Sequence, residues 1–110
     1  MKLLTKAILN QFEKQGDTSE KLVDDINVIC KLFGGGSATW YLYEYDAKYE
    51  EFMAFVNLGD PQMAELGRVS LAELKALKFP PFGLPIERDL HFKPRNLKDI
   101  MNTVREGGHV

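Results

Sequence analysis

Apolar residues recur at helical spacing in three stretches of the chain and at strand spacing in four others. Over residues 5–14, Ile8, Leu9 and Phe12 fall at i, i+1 and i+4. Thr5 stands where a side-chain oxygen caps the first turn, and Gly16 ends the helix. Ser70 and Glu73 form a capping box, each side chain satisfying a backbone N–H of the other's turn, and Leu71, Leu74 and Leu77 supply the stripe of a helix over 70–77. Asn96 caps a third helix over 97–106, in which Leu97, Ile100, Met101 and Val104 fall at i, i+3, i+4 and i+7 and Gly107 marks the end.

Ile26 to Phe33 is dense in β-branched and aromatic residues and predicts a strand. After Gly34-Gly35-Gly36-Ser37, Thr39 to Tyr45 alternates, with Trp40, Leu42 and Glu44 on one face and Tyr41, Tyr43 and Tyr45 on the other. The acidic turn Asp46 to Glu50 leads into Phe52 to Leu58, so 26–58 reads as a three-strand meander closed by Gly59-Asp60-Pro61. The proline-rich run Phe79 to Pro85 cannot continue a helix, and Ile86 to Phe92 reads as a fourth strand. Residues 108–110 read as a frayed tail. The expectation is one α+β domain over 1–110: three helices and a mainly antiparallel sheet of about four strands.

Composition narrows the function classes. The 110 residues, 45% hydrophobic and 27% charged, suit one domain with a core that needs no disulfide or structural metal. The single cysteine, Cys30, sits in an apolar run and reads as a packed thiol; a multi-cysteine zinc site is excluded. No apolar run approaches the roughly 20 residues that span a bilayer, and Met1 to Leu9 is too short for a signal peptide, so a cytoplasmic location is expected. A net charge of -2 gives no electrostatic case for direct nucleic-acid binding. Charge is uneven, however: 40–66 holds six acids against Lys48 alone, and 67–110 holds eight bases against five acids. The acidic third is either solvated loop or a face matched to a basic groove on a partner.

Gly34 to Ser37 fails as a phosphate-binding loop, because no lysine follows in the required position and a strand rather than a helix comes next. Trp40, Tyr41, Tyr43 and Tyr45 resemble a base-stacking platform, but the interleaved Glu44 and Asp46 repel phosphates. A helix-covered aromatic ladder, or an exposed tyrosine face for a protein partner, fits better. In a regular strand, Glu87, Asp89 and His91 share a face at roughly 6.5 to 7 Å spacing. They have the donors for a divalent cation or for acid–base work on a water, though no second carboxylate cluster stands opposite them, and a solvated polar face is the plainer reading. Arg88 falls on the apolar side of that strand, where burying its charge requires a carboxylate or carbonyl partner. The candidate binding residues are therefore Trp40, Tyr41, Tyr43, Glu87, Arg88, Asp89 and His91, with Glu87, Asp89 and His91 as the alternative metal set. No catalytic residue is assigned: Ser70 is a cap, Cys30 is core, and His109 lies in the tail.

The stretches Ile29 to Phe33, Ala38-Thr39-Trp40, Glu65 to Leu74 and Gly83 to Phe92 closely resemble successive motifs of the bacterial domain-of-unknown-function family 2958. The resemblance runs in order from about Met1 to Asn102, with Gly34-Gly35-Gly36 replacing a Thr-Pro-Asp-like turn of the relatives. It implies a bacterial, cytoplasmic accessory protein of plasmids and conjugative elements, with no reaction and no cofactor attached. Three functional expectations follow. The first is a non-enzymatic module that binds a protein partner, the second a metal-assisted hydrolase or single-stranded DNA nuclease on Glu87, Asp89 and His91, and the third a homodimer through an exposed sheet edge.

Overall fold

The computed structural model describes residues 2–110. The three helices form where the caps predict. Helix α1 covers Lys6–Gln15, with the Ile8 amide donating to Thr5 Oγ1 at 3.2 Å and Gly16 turning the chain at φ 66°. Helix α2, Leu71–Ala76, opens with the Glu73 amide on Ser70 Oγ at 3.0 Å. Helix α3, Leu97–Arg105, opens with the Asp99 amide on Asn96 Oδ1 at 3.2 Å.

The strands are β1 (Asn27–Val28), β2 (Cys30–Gly34), β3 (Ala38–Asp46), β4 (Glu51–Asn57), β5 (Glu65–Ser70), β6 (Lys78–Phe79), β7 (Leu84–Pro85), β8 (Glu87–Arg88) and β9 (Arg95–Asn96). An antiparallel sheet of five runs β5-β4-β3-β2-β8, and β1 with β9 and β6 with β7 form two-stranded ribbons. The architecture is α+β, as expected; the main sheet has five strands where the hydrophobic pattern shows about four. Strand β5 escapes that pattern because half of its residues, Glu65, Leu66 and Arg68, lie in solvent and none is fully buried, so no hydrophobic alternation marks it. The strand expected over 26–33 divides at Ile29, since β1 leaves the sheet to pair with β9. The strand expected over 86–92 ends at Arg88, because the Asp89 carboxylate accepts the His91 amide at 2.9 Å and turns the chain.

Both faces of the sheet are covered. Helices α1 and α2 pack on one, through Phe12, Leu71 and Leu74 against Leu32, Trp40, Leu42 and Phe52. Helix α3 packs on the other, through Leu97, Ile100 and Val104 against Tyr41, Tyr43 and Phe55. Two apolar faces explain why β3 is a near-continuous run of buried residues from Trp40 to Tyr43 rather than a polar–apolar alternation.

A bulge in β3 sorts these residues between the faces. Leu42 pairs with Ala54 but Glu44 pairs with Met53, which leaves Tyr43 as the extra residue. From that point every side chain changes face. Tyr45, expected beside Tyr41 and Tyr43, crosses to the α1 side, where its ring lies 4.7 Å from Phe52 and 6.1 Å from Phe12. Glu44 is carried to the opposite side, where its Oε1 accepts both the amide and the hydroxyl of Thr18 at 2.6 Å. The bulge frees the Tyr43 carbonyl from regular pairing, and Gln15 at the end of α1 takes it: Gln15 Nε2 donates to the Tyr43 and Asn27 carbonyls while its Oε1 accepts the Asn27 amide at 2.9 Å. The C-terminus also departs from expectation. Gly107 (φ 85°) lets its own amide reach the Val104 carbonyl and the Gly108 amide reach Thr103, both at 2.9 Å, so the tail is a closed helix cap with Val110 packed beneath it.

Removing the Gln15 amide leaves the bulge carbonyl and both Asn27 groups unserved. Gln15→Ala is expected to cost about 1–3 kcal/mol in urea unfolding, against less than about 0.5 kcal/mol for Gln11→Ala, whose side chain is exposed.

Candidate functional site

The residues singled out by sequence fall in two places. Trp40, Tyr41 and Tyr43 are 5%, 3% and 5% exposed, so they form no stacking platform and no accessible tyrosine face. Trp40 packs under α1 and α2 with its ring 6.5 Å from Phe79, and Tyr41 lies 6.1 Å from Phe55 on the α3 side. Burial pushes the Tyr41 and Tyr43 hydroxyls upward in pKa, with the charges of Asp89 and Glu44 adding to the effect. They are the helix-covered ladder.

Glu87, Arg88, Asp89 and His91 lie instead on an irregular run, residues 79–92, that borders the β2 side of the sheet. Its first anchor is Phe79. The ring lies so close over Gly34 and Gly35 that a Cβ on Gly34 would stand 2.2 Å from it, so the glycine turn is a seat for an aromatic ring. The chain then loops out through Pro80 to Gly83 and returns as β7 on β6. Ile86 is buried, β8 pairs Arg88 with Leu32 and Glu87 with Phe33, and the Asp89 amide continues that ladder to the Lys31 carbonyl at 3.0 Å.

Two charged side chains are tied down at the same point. Arg88 Nη1 donates to the Lys2 carbonyl at 2.7 Å, which is the type of partner its apolar position requires. The Asp89 carboxylate lies 3.6 Å from Lys31 Nζ, and Lys31 also donates to the main-chain oxygen of Val110. Arg88, Asp89 and Lys31 line a small cleft of about 210 Å³ together with Cys30, Gln11 and Leu90. Glu87 and His91 do not join it; both are exposed, and the turn at Asp89 destroys the strand face on which all three acidic and imidazole groups were expected to meet. Among the described residues no group of three His, Cys, Asp or Glu side chains is placed to hold a metal ion. No helix among them is long and apolar enough to cross a membrane.

The same run exposes what sequence reading missed. Phe82 is 82% exposed, Leu90 63% and Leu84 58%. Leu90 was expected to point inward from a regular strand; the turn after Arg88 releases it. Phe82 had a readable signal in the Pro-Pro-Phe-Gly run, because turn residues on both sides place an aromatic at a loop tip.

Cys30 lines the cleft as a buried thiol, 3% exposed. Burial pushes its thiol up to about 12, with the Arg88 charge pulling weakly the other way. An unfolded chain loses that proton near 9.0, so between these values the unfolded state holds fewer protons and native stability falls as pH rises. The native protein is expected to resist Ellman's reagent at pH 8 and to react stoichiometrically in denaturant. Unfolding titrations at pH 8 and 10 should show a loss of stability that is smaller in Cys30→Ala.

No curated protein and no solved structure matches the chain. Residues 3–110 match the family described as Protein of unknown function (DUF2958), nearly the whole length, and the chain therefore belongs to that family.

Proposed function

We propose that this chain is a non-enzymatic protein-interaction module that seats a partner on the run 79–92. The observation that carries the reading is the contrast within that run: Phe82, Leu84 and Leu90 are exposed while Phe79, Ile86, Arg88 and Asp89 are fixed to the body of the domain. Exposed apolar groups on a flexible loop lose much of their binding energy to ordering; on a pinned loop that cost is already met by folding. A phenylalanine and two leucines are suitable anchors for an apolar pocket on the partner, and exposed Glu87 and His91 supply a polar rim. An accessory role on mobile DNA, implied by the family resemblance, is compatible with such a module. The metal-assisted hydrolase or nuclease reading draws no support from the geometry, since Asp89 is engaged by Lys31 and no group of three His, Cys, Asp or Glu side chains among the described residues is placed to hold a metal ion.

The double variant Phe82→Ser/Leu84→Ser touches only exposed side chains, so its melting temperature should stay within about 2 °C of the parent. Affinity capture from host cells should return a stoichiometric partner with the parent chain and lose it, by tenfold or more, with the variant. Equal recovery by both chains would dismiss this surface.

A further inference from the structure

The two edges of the main sheet are built differently. The β8 edge is two residues long, follows Pro85 and ends in a turn, all of which block addition of another strand. The β5 edge is six residues long, contains no proline, and pairs with β4 in one unbroken register. Antiparallel bonding alternates along such a pair. The Leu71 amide donates to the Glu50 carbonyl at 2.8 Å, one step beyond the Glu51–Ser70 pair. Counting back, Val69, Gly67 and Glu65 bond to β4, whereas Leu66 and Arg68 turn their N–H and C=O groups away from the sheet, as Ser70 does its N–H at the junction with α2. Arg68 is a surface residue with its side chain 67% exposed, and Leu66 is 40% exposed.

We propose that β5 pairs with β5 of a second copy of this chain, antiparallel about a two-fold axis through Gly67, joining two five-stranded sheets into one. Three features select this occupant and this register. First, Leu66 and Arg68, the outward-facing residues clear of the junction with α2, flank Gly67 symmetrically, so a two-fold there sets Leu66 opposite Arg68 of the second copy twice over and makes four main-chain hydrogen bonds. Second, the charges agree: shifting the axis to Arg68 places like charges directly opposite, whereas the Gly67 axis lays each arginine stem beside the other copy's Leu66. Third, the two Gly67 residues form the close, non-hydrogen-bonded pair, with Cα atoms about 4.5 Å apart. Gly67 has no left-handed φ to explain it, and nothing lies within 4 Å of the space its Cβ would occupy. The interface is on the opposite edge of the sheet from the run 79–92 and does not rest on the partner reading; two copies would present two such runs, which strengthens binding to any partner with paired sites.

The register makes a sharp test. Gly67→Cys has open space for its side chain, and buried Cys30 does not compete for oxidant. Under mild oxidation Gly67→Cys should run as a covalent dimer on a non-reducing gel. Leu66→Cys should not, because the two Leu66 positions are offset by two residues and about 8–9 Å apart, beyond disulfide reach. Light scattering should give twice the chain mass for the parent. Arg68→Pro, which removes an N–H that β4 does not use together with the surface ion pair to Glu51, should halve that mass while keeping the circular dichroism of the fold. A parent that stays monomeric at 100 µM, or cross-linking by Leu66→Cys as efficient as by Gly67→Cys, would overturn the proposal. Loss of partner capture by the Phe82 variant leaves these readings unchanged, so the two proposals fail separately.

Discussion

A sheet with helices on both faces must deliver apolar side chains in both directions, and in this domain one extra residue in the central strand controls that delivery. Before the bulge, Trp40 and Leu42 serve the α1 and α2 side while Tyr41 serves the α3 side. After it, Tyr45 joins Phe12 and Phe52, and Glu44 turns to Thr18. Without the inserted residue, Tyr45 would crowd the α3 side and the Glu44 carboxylate would face the apolar layer beneath α1. The bulge is held by Gln15, whose one amide serves the displaced Tyr43 carbonyl and both main-chain groups of Asn27. The end of α1, the ribbon strand β1 and the middle of β3 are thereby fixed to one another through a single side chain.

The same economy governs the surface. The run 79–92 has little regular structure, yet its path is defined at four points by a ring on glycine, a buried isoleucine, an arginine on a carbonyl and an aspartate beside a lysine. These contacts account for two of the four polar residues that stand out in the sequence of this run. Arg88 and Asp89 hold the run in place, and apolar Phe82, Leu84 and Leu90 are left outward beside Glu87 and His91. On the proposed reading, contacts to its own domain meet the ordering cost, and the exposed groups are positioned before a partner arrives.

Much of the fold was legible because it depends on local rules. Thr5, Ser70 and Asn96 each satisfy a first-turn amide within three residues, so the helix starts could be placed from the chain alone. The three-strand meander was equally legible, since β2, β3 and β4 follow one another through short turns and carry β-branched and aromatic residues. Strand β5 was not, because Glu65-Leu66-Gly67-Arg68 has no hydrophobic periodicity; its membership in the sheet comes from main-chain pairing with β4, which residue type does not signal. Tyr41 and Tyr43 were chosen as binding candidates on residue type, and only their burial beneath α3 assigns them to the core.

The chain by itself determined which residues start and stop helices, that a meander forms, and that Arg88 must meet a hydrogen-bond acceptor. Tertiary structure decided which acceptor that is, which face each aromatic of β3 occupies, and whether Glu87, Asp89 and His91 stand together. Caps and turns are settled within a few residues, whereas face and proximity depend on register, and one inserted residue at Tyr43 or one side-chain turn at Asp89 redirects everything that follows it.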